Sequence, residues 1–166
     1  MVKVEQLAAA TFAPFGHVAR AGEPTHKLIR DNKVKLSKSP AVFRHGDEAV
    51  DLALDFYEVQ PERAPVRITQ AERHEHSAQM FVPMSVTDYL VVVWDNNPCE
   101  GGRPHAFVGG PGDVVIYHPG VWHHGIMVIG KPGLFASTMW RTRNGRDVEF
   151  TDLPAPLEVL VSGSGE

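Results

Sequence analysis

The chain has 166 residues and a formal charge of −4, with 16 lysines and arginines against 20 aspartates and glutamates, which leaves no basic footprint for a nucleic-acid partner. A hydrophobic content of 43% and a charged content of 22% fit a globular chain long enough to bury its own core. The single cysteine, Cys99, excludes a disulfide framework and a thiolate metal cluster, and it reads as a bystander in a turn-rich loop. No apolar run approaches the ~20 residues of a membrane span and no leader pattern opens the chain, so a reducing cytoplasm is expected and a membrane partner is not.

Thirteen prolines and fifteen glycines spread along the chain predict many short strands rather than long helices. A short N-terminal helix is expected within residues 5–15, where Leu7, Ala8 and Phe12 share a face and Pro14 blocks continuation. An entry strand follows at 16–20. Residues 21–39 are polar and basic (Lys27, Arg30, Lys33, Lys35, Lys38) with little periodicity, and they read as a solvated face. The competing reading is that one of these cations, with Lys35 as the candidate, reaches a substrate carboxylate.

Strands are expected at 41–44, 52–60, 66–72, 80–84, 88–94, 105–108, 114–117, 125–130, 134–140 and 148–150. In 52–60, Leu52, Leu54, Phe56 and Glu58 alternate with Ala53, Asp55, Tyr57 and Val59 without a clean polar face, so both faces are expected to be partly covered. The run DYLVVVW at 88–94 is apolar throughout, which predicts burial on both faces. The end of the chain, from about 157 to 166, reads as a flexible tail. Short strands at near-regular spacing predict an all-β sandwich or barrel, as one domain over 1–166.

The most informative stretch is 112–124, GDVVIYHPGVWHH. It reads as a strand, a turn at Pro119-Gly120, and a second strand in which Val121 and His123 share one face and Trp122 and His124 the other. Imidazoles at the mouth of a strand suit metal or acid–base chemistry, while simple packing at a barrel end stays open. The spacing resembles the second motif of cupins, small jelly-roll barrels built as a double-stranded β-helix: Gly112, five residues later His118-Pro119-Gly120, then two residues and His123 as the inward ligand. The first cupin motif lies on ERHEHSAQ in two registers. Either Glu72, His74 and Gln79 take the ligand positions, which the spacing favours, or His74 and His76 do, with Gln79 one residue early. A site of Glu72, His74, Gln79 and His123 offers nitrogen and oxygen ligands and suits Zn, Ni, Mn or Fe(II). The alternative is a metal-free pocket in which these groups bind an anion or water.

The resemblance extends further. ERHEHSAQMFVPM is similar to the ERHP-x-x-x-QAF-[IV]-PM block of the ureidoglycolate lyase family, YHPGVWHHGI to its Y-x-x-x-VWHHP block, and EQLAAATFAPFGHVA to its N-terminal segment. The chain departs from that pattern in three places: residues 30–38 lack an Arg-Tyr-His segment, Trp140 stands where an Asp-Arg-Gly has its aspartate, and Gly125 replaces a proline. The resemblance implies a lyase that splits ureidoglycolate into glyoxylate and urea in purine nitrogen salvage. That elimination needs a base near the hydroxyl, a proton donor near the leaving nitrogen and a cation for the carboxylate. The roles implied are metal holding by Glu72, His74, Gln79 and His123, proton transfer by His76 or Tyr117, and carboxylate binding by Arg141, with Gln79 and Lys35 as further contacts. Without a metal, Glu72 would have a raised pKa and act as the acid or base itself. His124 and Trp122 read as structural, at a subunit interface. A homodimer is expected, because exposed strands of small barrels are commonly covered that way. Two other functions fit the same fold: a metal-dependent isomerase or dioxygenase acting on a small oxyacid, and a non-catalytic cupin that binds a carboxylate or sugar.

Overall fold

The computed structural model describes residues 2–23 and 26–161. In chain order the elements are β1 (Val4–Gln6), α1 (Ala9–Phe12), β2 (Gly16–Ala19), β3 (His26–Ile29), β4 (Val34–Ser37), β5 (Ala49–Val59), β6 (Pro61–Glu62), β7 (Val66–Arg73), β8 (Gln79–Ser85), β9 (Asp88–Trp94), β10 (Pro104–Gly109), β11 (Val114–Tyr117), β12 (Met127–Ile129), β13 (Gly133–Thr142) and β14 (Glu149–Val159). Two five-stranded sheets, ordered β1-β10-β9-β12-β6 and β2-β11-β8-β13-β5, form the sandwich. The β7–β14 pair joins the first sheet through His123, which bridges Glu72 on one side and Val93 on the other. This is the cupin-type all-β fold with its short N-terminal helix.

The apolar run at 88–94 is buried as its composition predicts, from Tyr89 to Trp94. Alternate residues enter two different cores: Tyr89, Val91 and Val93 face the barrel interior with Phe81, Phe107 and Phe135, while Leu90, Val92 and Trp94 pack with Ile68, Trp122 and Met127. Helix α1 closes the interior. Phe12 is fully buried and meets Phe107 edge to face at 5.4 Å. Only glycine fits at position 16, because a Cβ there would collide with the carbonyl oxygen of Ile116.

Several expectations are corrected. Residues 41–44 form no strand; Arg44 instead accepts a hydrogen bond from the Ala78 amide, and His45 makes a lone bridge to Ser77. Residues 121–124 are not a strand either, and His123 alone is paired. Part of the expected tail is ordered: Leu157, Glu158 and Val159 pair with Ile68, Arg67 and Val66, while residues 162–166 lie outside the described residues. Strand β14 tolerates Pro154 and Pro156 because its register slips between Asp152 and Leu157, where no ladder N–H is needed.

The β3–β4 hairpin was hidden in the polar stretch 21–39. Its turn is made by Arg30, Asp31 and Asn32 in the left-handed region (φ 52, 53 and 64°), with no glycine to signal it. Strand β5 also differs from expectation, because one face is uncovered: Leu52, Leu54 and Phe56 are 57, 60 and 61% exposed. Among the described residues no helix is long and apolar enough to cross a membrane.

Removing the Phe12 ring is expected to leave a cavity between α1 and the barrel. Phe12→Ala should cost about 3–5 kcal/mol in urea unfolding. A loss below about 1 kcal/mol would show that α1 does not close the core.

Candidate active site

The site begins with two backbone hydrogen bonds. The Glu72 amide donates to the His123 carbonyl (2.7 Å) and the His123 amide to the Glu72 carbonyl (2.8 Å). Residues paired in this way present their side chains on the same face. The Glu72 Oε1 and His123 Nε2 atoms therefore lie 3.4 Å apart, within ion-pair reach but without hydrogen-bond alignment. Strand β7 ends at Arg73, and His74 turns back over the same opening. The facing ligand atoms of Glu72, His74 and His123 all fall within 4.8 Å of one another.

Each histidine is oriented through its other nitrogen. Nδ1 of His74 donates to the Asp147 carbonyl (2.8 Å) and Nδ1 of His123 to the Val121 carbonyl (2.9 Å). Those carbonyls accept, so Nδ1 carries the hydrogen and Nε2 offers a lone pair to the site. Both Nε2 atoms are buried without a hydrogen-bond partner, as are Gln79 Oε1 and Tyr117 Oη. The Tyr117 ring stacks on His123 at 4.3 Å with 13° between the planes. Two imidazole lone pairs, a carboxylate and an amide oxygen make a donor set that fits a borderline divalent cation. The first of the two registers, Glu72 with His74, is the one the fold assembles.

The inner face of the second sheet supplies the rest. Directly opposed residues share a face, so Tyr117, Gln79, Met139 and Ala53 form one inward row and Val115, Phe81, Ser137 and Asp55 the next. Tyr57 and Arg141 lie on that same face. Tyr57 was missed by the sequence reading. Its only signal was β5's inverted pattern, in which the polar residues Asp55 and Tyr57 point inward and the apolar ones outward. Arg141 Nη2 holds both oxygens of Asp55 at 2.7 Å while its side chain remains half-exposed.

One residue expected at the site, His76, is placed elsewhere, and Lys35 lies on a separate hairpin. His76 does not join the cluster: β7 stops short of it, which ends the alternation that would have carried it inward, and its Nε2 lies 3.2 Å from Glu48. The surface hollow that it lines, about 630 Å³, is walled by Glu48, Arg73, Glu75 and Asp147 and takes in none of the three clustered residues. The cluster opens instead through Glu72, whose side chain is 23% exposed. Lys35 sits opposite Leu28 on the β3–β4 hairpin, which among the described residues is hydrogen-bonded to no other sheet. Trp122 is buried in the core beneath the Arg73 guanidinium (4.9 Å), so it offers no interface, and His124 Nδ1 bonds the Gln70 carbonyl. Trp140, one of the departures from the family pattern, lies on the outer face and stacks on His45 at 4.1 Å, away from the cluster.

Protonation follows from these neighbours. Burial alone would raise the Glu72 carboxyl, but the imidazole of His123 beside it, aided by His74 and His124, brings it below its ordinary value. The raised value expected for a desolvated Glu72 is thus corrected. Burial, reinforced by His123, lowers His74. Burial raises the Tyr117 hydroxyl, with Tyr89 and Glu72 adding to it. Burial and then Glu72 and Asp55 raise Tyr57, against the influence of Gln79 and Arg141. At neutral pH the site therefore holds a carboxylate, a neutral His74 and two protonated phenols.

This fold and cluster define a cupin-type protein with a buried carboxylate–histidine centre. The family model for ureidoglycolate lyase matches residues 1–160, and the chain belongs to that family. It is 30% identical to a ureidoglycolate lyase from Chelativorans sp. over 93% of both chains, and 30% identical to one from Rhizobium etli over 80% of both. A dTDP sugar isomerase from Desulfovibrio desulfuricans shares the fold at a TM-score of 0.51 and 19% identity, over 86% of this chain and 88% of that one.

The shifts predict a two-stage loss of stability in acid. Folded His74 titrates below the ordinary 6.5, so between those values the unfolded chain binds more protons, and stability falls as the pH drops through that window. Glu72 titrates below the ordinary 4.5, so its contribution is present above that value and is lost as the pH falls through its folded pKa. Thermal melts against pH should lose the upper stage in His74→Gln and the lower stage in Glu72→Gln. Unchanged profiles would contradict the assignment.

Proposed function

We propose that this chain is a carbon–nitrogen lyase that cleaves ureidoglycolate to glyoxylate and urea, with a divalent metal (Ni, Zn, Mn or Fe) held by Glu72, His74, Gln79 and His123. The observation that carries the reading is the pair of buried imidazoles, each aiming an unpartnered Nε2 beside Glu72 and Gln79 within a chain of this family. A bound metal supplies a Lewis acid that polarises the oxygens of a small oxyacid.

The protein's own groups meet the three needs of the elimination. The Glu72 side chain is ionised at neutral pH, and its second oxygen accepts no hydrogen bond among the described residues, so it is placed to take the substrate's hydroxyl proton as the C–N bond breaks. Tyr57, protonated and partly exposed at the mouth, returns a proton to the departing urea nitrogen. Arg141 binds the carboxylate, and Asp55 holds its guanidinium in position. Tyr117 keeps the His123 ring in plane rather than moving protons, since it is wholly buried and stacked. His76 and Lys35 have no part in this scheme.

The test is glyoxylate release from ureidoglycolate by protein stripped with chelator and reloaded with each metal in turn. Glu72→Gln and His123→Ala should lower kcat by about 10²-fold or more. Tyr57→Phe should lower kcat with little change in KM, whereas Arg141→Gln should mainly raise KM. No turnover by the folded wild-type chain with any metal would overturn the proposal, and carboxylate binding without turnover would then favour a binding protein.

A further inference from the structure

Arg141 and Asp55 meet on the inner face of the second sheet in a one-sided way. Both Asp55 oxygens accept from a single nitrogen, Nη2 of Arg141, at 2.7 Å each. A fork-to-fork pair would instead engage two nitrogens, one for each oxygen. Nε and Nη1 of Arg141 therefore make no hydrogen bond among the described residues, and their N–H groups are open to a substrate carboxylate. Asp55 is equally unspent. It accepts no other hydrogen bond among the described residues, each oxygen keeps a second lone pair, and its side chain is 40% exposed.

Strand β5 ties Asp55 to the reacting centre. Ala53, Asp55 and Tyr57 alternate onto one face, and Ala53 lies in the inward row of Gln79 and Tyr117. The charges of Glu72 and Asp55 both act on Tyr57. Asp51, directly opposite Arg141 on the same face, adds a carboxylate with no ion partner among the described residues. A ureido group carries N–H donors on two neighbouring nitrogens, and a carboxylate matches such a pair as it matches a guanidinium. With the substrate carboxylate on Arg141 and the hydroxyl at Glu72, those donors need an acceptor, and the protonated Tyr57 is itself a donor.

We infer, on the lyase reading of how the substrate lies, that Asp55 is a specificity-determining residue: it accepts the N–H groups of the ureido end beside the carboxylate held by Arg141. The site then selects monocarboxylates whose other end is a pair of N–H donors. An analogue without those donors leaves Asp55 stripped of water and unpaired. An analogue with a second carboxylate meets Asp55 and Asp51 as like charges.

Three ligands of nearly the same length and shape test this. Ureidoacetate has both ends of the substrate without the reactive hydroxyl, so nothing turns over. Levulinate puts CH2 and CH3 where ureidoacetate has NH and NH2, and succinate puts CH2 for the NH and a second carboxylate for the terminal amide. Calorimetric titration of protein loaded with zinc and freed of excess metal should show ureidoacetate binding at least about tenfold more tightly than either. Asp55→Asn should reduce both preferences to below about threefold, because an amide offers one acceptor and adds a donor. If Asp55 did no more than hold Arg141, the variant would weaken all three ligands alike. That result, a wild-type chain without the preference, or no binding of ureidoacetate at millimolar concentration would each overturn the inference. Should Asp55→Asn not fold, Asp55→Ser gives the same decision. Turnover of ureidoglycolate without the preference would remove this inference and keep the lyase, and the preference without turnover would do the reverse.

Discussion

The reciprocal hydrogen bonds between Glu72 and His123 join two parts of the fold and set its reactive pair. They attach the β7–β14 pair to the first sheet, because His123 has β9 on its other side. They also decide the chemistry, since the same pairing puts a carboxylate and an imidazole on one face of the barrel at 3.4 Å. A fold joint and a reactive pair are thus a single feature. Loosening one would displace the other.

That joint lies where burial is costly. Four polar atoms around it, on His74, His123, Gln79 and Tyr117, are buried without partners, and each such atom costs about 1–3 kcal/mol if left unsatisfied. Their clustering lets one shared ligand reach several of them at once. A bound divalent cation would satisfy the two imidazole nitrogens and the amide oxygen together, and the backbone carbonyls of Asp147 and Val121 turn both Nε2 atoms toward the same opening. The site is therefore pre-oriented by main-chain acceptors on loops, with the sheet supplying the wall. Arg141 and Tyr57 stand on that wall, where the second sheet turns its polar inner positions toward the opening.

The same sheet explains an oddity of composition. Strand β5 is inverted relative to an ordinary half-buried strand, with Asp55 and Tyr57 inside and Leu52, Leu54 and Phe56 outside. Its inner face carries Asp55 and Tyr57 toward the site, and its outer face is uncovered among the described residues. The chain's charge is divided along the same line, with cations gathered on the hairpin and acids on the strand that follows it.

Much of this was legible in the sequence because it rests on local periodicity and spacing. The run 88–94, the strand at 114–117, the closing helix and the grouping of Glu72, His74 and His123 all follow from alternation, turn residues and motif distance. What the sequence left open were matters of where a strand stops and which face is covered. His76 has the parity of a ligand but β7 ends before it, and tertiary pairing alone decides that end. The β3–β4 hairpin turns on three left-handed residues without glycine, so nothing local announces it. Tyr57 enters the site, and the expected rise in the Glu72 pKa reverses, because of neighbours distant in the chain. Local pattern and spacing were enough for the fold class and for the residues able to hold a metal, whereas which of them meet depended on long-range pairing, which sets the faces and charges around each one.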